Sequence, residues 1–173
     1  LTNRKISAEY FSFHTTDAEY QLLEKIRHIP KTKFLAGNAD FALGIVTGNN
    51  KKYISSVKNK DNEVILKGSD ICKYHTNPNS NYIVFNPQNF QQVAPIEMYR
   101  APEKLLYRFI SSQLVFAYDD KQTLSLNSCN LVIPKLEGLH IKYILAILNS
   151  RIAQFIYKME FHSVKVLRSH IEN

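Results

Sequence analysis

The sequence predicts a mixed α/β (α+β) fold, in which a mixed β-sheet is flanked by a short N-terminal helix and a long C-terminal helix. Apolar residues recur at helical spacing near both ends of the chain, and short runs rich in Val, Ile and Phe lie between them, separated by turn-forming residues. With 173 residues and a hydrophobic fraction of 45%, the chain is long enough to bury a substantial core.

The N-terminal helix is predicted to begin at a capping box, in which Thr16 is followed three residues later by Glu19. Tyr20, Leu23 and Ile26 then share one helix face, and Pro30 must end the helix because its ring clashes with the preceding turn. We therefore interpret residues 1–30 as a helical lead-in and residues 31–173 as the main domain.

The middle of the chain is predicted to be β-rich. Residues 34–52 alternate apolar and small side chains and run into the turn Thr47-Gly48-Asn49-Asn50, where Gly and Asn tolerate positive φ. Residues 64–66 and 82–85 are two further short strands, because they are β-branched or aromatic and are bounded by turn residues. Residues 68–74 between them are expected to contain one helical turn.

Pro102 is well placed as the first residue of a second helix, since Leu105, Leu106, Phe109 and Ile110 would form an apolar stripe behind it. Three cations four residues apart would then share the opposite face: Arg100, Lys104 and Arg108. Residues 114–118 and 124–133 are predicted to pair as a hairpin across the polar turn 119–122.

The strongest pattern is an apolar stripe from Ile141 to Ile156, which predicts one long helix from about residue 140 to residue 158. Its apolar face needs a partner surface: the sheet of this domain, another domain, or a second copy of the chain through transient self-association. The segment 164–173 is left open between a strand and a short helix.

Charge gives the first indication of function. Lys and Arg number 22 against 15 Asp and Glu, giving a net charge of +7. Such a balance attracts polyanions, whereas an evenly mixed basic surface is the alternative. Two cysteines cannot form a disulfide framework, so a reducing cytoplasm is expected. No apolar run of membrane-spanning length or signal peptide is found, so no membrane partner is expected.

Catalytic motifs are missing. Asn86-Pro87-Gln88-Asn89-Phe90 resembles the Asn-Pro-Pro-aromatic loop of amino-methyltransferases, but it lacks the second proline and its aromatic residue comes one position late. No glycine-rich cofactor turn accompanies it, so a plain turn is the better interpretation. Cys72 and His75 supply only half of a zinc site. We expect no catalytic site, metal or cofactor in this chain.

Four ordered blocks carry a family resemblance. They are Leu43-Gly44-Ile45-Val46-Thr47-Gly48-Asn49-Asn50-Lys51-Lys52-Tyr53, residues 66–74, residues 100–110 with 126–129, and residues 144–151. Together they resemble the TaqI-like specificity domain at the C-terminal side of type II restriction-modification and adenine-methyltransferase proteins, and they are similar to the target-recognition domains of type I specificity subunits. The likeness extends over roughly residues 20–173.

The resemblance implies that residues 31–173 are a DNA target-recognition domain within a larger bacterial or archaeal cytoplasmic protein. The expected partners are double-stranded DNA and a methyltransferase domain of the same protein, which would use S-adenosylmethionine, with Mg as a second candidate cofactor if the protein also cleaves DNA. The alternatives are a catalytic methyltransferase or nuclease fragment, and a structural domain that docks subunits.

The candidate DNA-binding residues centre on the turn Thr47, Gly48, Asn49, Asn50, Lys51 and Lys52. There backbone amides and lysines would meet phosphates and asparagines would meet adenine edges, although a solvated turn is the equal alternative. The other candidates lie further along the chain: Lys73, Tyr74, Arg100, Lys104, Arg108, Lys121 and Gln122. A solvated helix face is the alternative for the three regularly spaced cations.

Overall fold

The computed structural model describes residues 4–5, 11–12, 15–161 and 165–172. Much of the lead-in before residue 15, and residues 164 and 173 of the undecided tail, lie outside these ranges. The predicted α+β class is confirmed within them, while the division at residue 30 stays a prediction. None of the helices in the described ranges combines the length and the apolar character that crossing a membrane requires.

The first sheet has four antiparallel strands in the order β3-β10-β7-β8. Its strands are β3 (Ala39–Ala42), β7 (Lys104–Arg108), β8 (Phe116–Asp119) and β10 (Cys129–Pro134). The central strand β7 has neighbours on both sides, and its residues from Lys104 to Tyr107 are all buried. A strand covered on both faces has a continuous apolar pattern instead of an alternating one.

The second sheet is mixed and has the order β4-β6-β5-β9. Its strands are β4 (Ile54–Ser55), β5 (Glu63–Leu66), β6 (Tyr82–Ile83) and β9 (Leu124–Ser125). The predicted strand at residues 64–66 is therefore confirmed, whereas the strand predicted at 82–85 is confirmed only for residues 82 and 83. A separate antiparallel pair is formed by β1 (Arg4–Lys5) and β2 (Phe11–Ser12).

The helices are α1 (Asp17–Arg27), α2 (Asn50–Tyr53), α3 (Ile96–Tyr99), α4 (Ile141–Leu148), α5 (Arg151–Glu160) and α6 (Ser169–Glu172). The capping box of α1 is confirmed: Glu19 N donates to Thr16 Oγ1 at 3.3 Å, and Thr16 N donates to the Glu19 carboxylate at 2.9 Å. The predicted helical turn within 68–74 is confirmed as a 3-10 turn at Gly68–Asp70. The open tail segment contains a bridge at Lys165 followed by α6.

The helix predicted from Pro102 is wrong, because this segment forms β7. Its apolar residues divide between two sides of the sheet: Leu106 packs toward the second sheet, whereas Leu105 and Tyr107 pack toward the helices. Successive strand residues point to opposite faces, so one run of apolar residues serves two cores. The molecule is thus built from three layers, with the first sheet in the middle.

The hairpin predicted across residues 119–122 is also wrong. β8 pairs with β7, and β9 pairs in parallel with β5 in the other sheet. The chain therefore changes sheets at this turn instead of folding back on itself. Lys104 and Asp119 are direct partners in the β7–β8 register, and their buried ion pair fixes β8 against β7.

The single long helix predicted for residues 140–158 is wrong as well, because α4 ends at Leu148 and α5 begins at Arg151. The Asn149 carboxamide pairs with the backbone of Phe116 in β8, as a neighbouring strand would. Its Oδ1 accepts from Phe116 N at 3.0 Å and its Nδ2 donates to Phe116 O at 2.9 Å. Ser150 then caps α5 by accepting from Ala153 N at 3.1 Å. Asn149 and Ser150 therefore hold the chain against the sheet and divide the predicted helix into α4 and α5.

Three of the sequence blocks meet around residues 125–129. Ile45 N donates to Ser125 O at 2.7 Å, Leu126 N donates to Leu66 O at 2.8 Å, and Gly68 N donates to Ser128 Oγ at 3.0 Å. The backbones approach so closely that a Cβ at Gly44 would lie 2.1 Å from Leu126 O. Glycine is therefore required there by space, since any side chain would collide with backbone.

Candidate nucleic-acid interface

The topology of the second sheet brings three connections to one of its ends. β4 and β5 are both antiparallel to β6, and β9 is parallel to β5, so β4, β5 and β9 run in one direction. The segments that precede β4 and β9 (residues 47–53 and 120–123) therefore lie at the same end as the segment that follows β6 (residues 84–92). We call these three segments the polar end of the second sheet.

Arg100 ties the polar end together. Its Nη1 and Nη2 donate to the Glu63 carboxylate at 2.8 and 2.6 Å, and Nη1 also donates to Gln122 O at 2.9 Å. Its guanidinium lies 5.7 Å from the centroid of the Phe85 ring. The hydrogen bonds from Arg100 to Glu63 raise the pKa of Arg100, because they favour its charged form. Arg100 is thus a clasp that joins β5 to two of the three segments.

The turn before β4 is fixed by its own side chains. Gly48 has φ +77°, as the predicted turn requires, and residues from Asn50 onward form the short helix α2. The Thr47 hydroxyl donates to Asn50 Oδ1 at 2.6 Å, and Asn49 Oδ1 accepts from Lys52 N at 3.2 Å. The carbonyls of both asparagines therefore stabilise the turn itself. Their amide nitrogens have no hydrogen-bond partner within the described ranges.

The cations of this turn face solvent. Lys51 and Lys52 are exposed, and the Lys52 ammonium lies 5.0 Å from the centroid of the Tyr53 ring. Lys121 and Gln122 are exposed at the same end, and Gln122 has φ +55°, an uncommon conformation for a residue with a side chain. The turn at 47–52 and the pair Lys121–Gln122 therefore lie at the same end of the second sheet, beside its two outer strands β4 and β9.

Sequence reasoning missed the third segment of the polar end. Pro87–Asn89 form a 3-10 turn. The Phe90 ring anchors the segment by packing between two other rings, with its centroid 5.4 Å from that of Tyr53 and 6.2 Å from that of Phe85. Val46 and Gln92 form an isolated antiparallel bridge and exchange two backbone hydrogen bonds, of 2.9 and 3.0 Å. The signal that marks this segment in the sequence is its unusual density of Asn and Gln.

The structure does not place Lys104 at the surface. It is fully buried, and its ammonium donates to Asp119 Oδ2 at 2.5 Å and to Tyr99 O at 2.7 Å. Burial lowers the pKa of Lys104, whereas Asp119 opposes that shift. Arg108 is partly buried and donates to Ile71 O at 2.8 Å. The three regularly spaced cations therefore form no common exposed face, and that part of the prediction is corrected.

Lys73 and Tyr74 contact β8 and α4. Lys73 Nζ donates to Asn149 O at 3.4 Å, at the C-terminal end of α4. Tyr74 N donates to Phe116 O at 2.7 Å, and Tyr118 N donates to Tyr74 O at 3.2 Å. Tyr74 has φ +76° and is half exposed. A bulky residue held at positive φ is strained, so the two backbone contacts of Tyr74 with β8 must stabilise that conformation.

Residues suited to metal binding do not cluster. In the parts of the chain that the structure describes, no group of three or more His, Cys, Asp or Glu side chains is arranged to hold a metal ion. Cys129 is buried in β10, and burial raises the pKa of its thiol. Cys129 is therefore a buried thiol in the core between the two sheets.

Comparison with known proteins agrees with the resemblance in the sequence. The family model of the TaqI-like C-terminal specificity domain matches residues 63–173. The match includes residues 84–92 and 120–123 of the polar end, but the turn at 47–53 lies outside it. The type II methyltransferase M.VspI from Vibrio sp. (strain 343) is 40% identical over 63 residues, which are 36% of this chain and 15% of the length of that relative.

Proposed function

Because the chain belongs to the TaqI-like C-terminal specificity domain family, we propose that it recognises the DNA target of a restriction-modification system and positions the duplex for adenine methylation. The observation that carries the proposal is the polar end of the second sheet. There, rigid backbone turns present exposed lysines and amides side by side. Sequence-specific DNA binding needs both kinds of group, since cations hold phosphates while amides read base edges.

The basic residues of the polar end have two different roles in this proposal. Lys51, Lys52 and Lys121 neutralise phosphates on the duplex and set the register of the domain. Arg100 does not contact DNA; it holds the segment with Gln122 against β5 through Glu63. Tyr74 and Lys73 contribute a second contact beside β8, because both side chains are exposed.

A methyltransferase domain of the same protein is the proposed second partner. The helical layer carries an open groove of about 580 Å³ lined mainly by apolar side chains, among them Phe34, Tyr143 and Ile147. Each of these three is at least half exposed, as expected of a surface that another domain covers. In this arrangement S-adenosylmethionine, and Mg if the protein also cleaves DNA, bind outside this chain, and the whole protein works in a prokaryotic cytoplasm.

The proposal is tested by measuring duplex binding as a function of salt. We expect the logarithm of the affinity to fall linearly with the logarithm of the salt concentration, with a slope of about −0.9 for each phosphate contacted. The double variant Lys51→Ala/Lys52→Ala should bind every duplex more weakly. The magnitude of its salt slope should decrease by the amount that corresponds to about two phosphate contacts.

Lys158→Ala is the matched control, since Lys158 is an exposed lysine on α5, away from the polar end. Its affinity and salt slope should equal those of the wild-type chain. Absence of duplex binding by the wild-type chain at about 50 mM salt contradicts the proposed function, because a domain that contacts several phosphates binds well under that condition.

A further inference from the structure

The segment that follows β6 carries an exceptional density of carboxamide side chains. Five of its seven residues are Asn or Gln, and all five are exposed: Asn86, Gln88, Asn89, Gln91 and Gln92. We call residues 86–92 the amide turn. Within the part of the chain that the structure describes, none of these five side chains makes a hydrogen bond to protein.

The buried and capping asparagines of the same molecule behave differently. Asn62 holds its loop by accepting from Asn59 N at 2.9 Å and donating to Val57 O at 3.0 Å, and Asn149 binds β8. Polar side chains that serve the fold satisfy their hydrogen bonds inside it. The carboxamides of the amide turn stabilise nothing within the described structure, so both their donors and their acceptors are available to a ligand.

The backbone beneath these side chains is held by hydrogen bonds and by a buried ring. Pro87 fixes φ at the first position of the 3-10 turn, Asn89 N donates to Asn86 O at 3.0 Å, and Phe90 N donates to Pro87 O at 3.2 Å. The Phe90 ring is buried, and the hydrogen bonds between Val46 and Gln92 close the segment. Side chains on a fixed backbone lose less conformational entropy on binding, so this is a preorganised surface.

The amide turn lies directly beside the lysine-bearing turn. A Cβ placed on Gly48 would lie 3.4 Å from Cβ of Gln91, and the Tyr53 ring connects Lys52 to Phe90. Cations for phosphates and carboxamides for base edges are therefore neighbours. That is the arrangement that a major-groove reader requires, because the phosphates flank the base edges at the groove wall.

A carboxamide matches one base better than the others. Its NH₂ donates to adenine N7 while its carbonyl accepts from the adenine N6 amino group, so one Asn or Gln side chain makes two hydrogen bonds in a plane. We propose that the amide turn reads adenine edges in the major groove, with Gln88, Asn89 and Gln91 as the residues that determine specificity. This proposal rests on the proposed function, because it requires that the chain bind duplex DNA.

The test is selection of binding sequences from a pool of randomised duplexes by the full chain. Wild-type protein should enrich a sequence containing adenines at fixed positions. The triple variant Gln88→Ala/Asn89→Ala/Gln91→Ala should lose the adenine preference. Its affinity for the enriched sequence should fall about 5- to 150-fold for each two-hydrogen-bond contact removed, while its affinity for unrelated duplexes and its salt slope stay unchanged.

Two further measurements make the test specific. Replacing adenine by 7-deazaadenine at an enriched position removes N7, and should weaken wild-type binding but leave the triple variant unaffected. Asn89→Asp changes one donor into an acceptor with almost no change in size, and should shift one position from adenine toward cytosine, whose N4 amino group donates to a carboxylate. Gln113→Ala, an exposed carboxamide in the loop before β8, is the control and should select the wild-type sequence.

The outcomes separate the two proposals. An unchanged selected sequence in both the triple variant and Asn89→Asp overturns the role of the amide turn while leaving DNA recognition intact. Binding of duplexes by the wild-type chain without any adenine preference does the same. Failure of the wild-type chain to bind any duplex at low salt overturns the proposed function itself. Circular dichroism of the variants confirms folding, which is expected because the substituted side chains are exposed and make no hydrogen bonds to protein within the described ranges.

Discussion

Two groups of basic residues that the sequence predicts to bind DNA differ completely in the structure. Arg100, Lys104 and Arg108 each have a protein partner: Glu63, Asp119 and the carbonyl of Ile71, respectively. Lys51 and Lys52 are exposed at the polar end, and neither forms a salt bridge with any residue in the described ranges. The first group holds the fold together, while the second is available to a polyanion.

A regular spacing of cations therefore says little about what they bind. Burying an ammonium is unfavourable unless an anion and further hydrogen bonds compensate, so Lys104 must keep Asp119 and Tyr99 O as partners. An exposed lysine carries no such requirement, and its charge remains available at long range. Substitutions in the first group should therefore mainly lower stability. Substitutions in the second group should mainly weaken DNA binding.

The largest effect on stability is expected for Lys104→Ala. This substitution leaves the Asp119 carboxylate buried without its ion-pair partner, which should lower the free energy of unfolding by about 3–5 kcal/mol. Chemical denaturation followed by circular dichroism measures it. The double variant Lys104→Ala/Asp119→Ala should lose less than the sum of the two single losses, since the pair is coupled. A loss below about 1 kcal/mol in Lys104→Ala would show that the pair behaves like an exposed one.

Arg100 should show an intermediate effect. Its ion pair with Glu63 is about one-third exposed, so we expect Arg100→Ala to lower the free energy of unfolding by about 1–2 kcal/mol. Arg100→Lys distinguishes between two roles for Arg100, which are holding the polar end together through hydrogen bonds and contacting a phosphate directly. Lysine keeps the charge but cannot reproduce the paired hydrogen bonds, so both variants should lose sequence preference with little change in salt slope. Wild-type behaviour of Arg100→Lys, with a reduced salt slope only in Arg100→Ala, would instead make Arg100 a phosphate contact.

A smaller effect is expected at Asn49, which caps α2 through Lys52 N. Asn49→Ala should lower the free energy of unfolding by about 0.5–1 kcal/mol, because the backbone donor loses its acceptor. Asn49→Gly is the control and should lose only a few tenths of a kcal/mol, since glycine is tolerated at this position of a helix. Equal losses in the two variants would mean that the cap does not stabilise the turn.

The smallest effect on stability is expected for Lys51→Ala/Lys52→Ala, the variant that should weaken DNA binding most uniformly. Both side chains are exposed, so the free energy of unfolding should stay within about 0.5 kcal/mol of the wild-type value. Thermal unfolding in the same buffer as the binding assay checks this. A larger loss of stability would assign the two lysines a role in the fold and would remove the contrast with Lys104.

Much of the local structure was predictable because its causes are local. Thr16 and Glu19 form the capping box, Gly48 adopts positive φ, and strands β5 (residues 63–66) and β6 (residues 82–83) lie where β-branched and aromatic residues cluster. The turn at 47–52 and the pair Lys121–Gln122 could be proposed as binding residues because turn chemistry and exposure are visible in the sequence. The sequence predicts only a plain turn at residues 86–90, because nothing local shows that this segment lies beside the lysine-bearing turn at Gly48.

The errors have distant causes. Residues 104–108 satisfy a helical pattern and a strand pattern equally, and the choice depends on β8 and β10 on either side of β7. The apolar stripe of residues 141–156 predicts one helix, but Asn149 binds the backbone of Phe116, 33 residues earlier. Such partners are not visible in a window of ten or fifteen residues, so tertiary contacts override the local pattern.

The α+β class, the basic charge, the local caps and turns, and the blocks that resemble the specificity-domain family can all be inferred from the amino-acid sequence. Each of these depends on composition or on residues a few positions apart. The packing of distant segments, in contrast, sets which cations are buried, where the long apolar stripe divides, and which three segments lie at the polar end. These features depend on burial and on strand pairing between distant residues, and both arise only when the two sheets and the helical layer pack together.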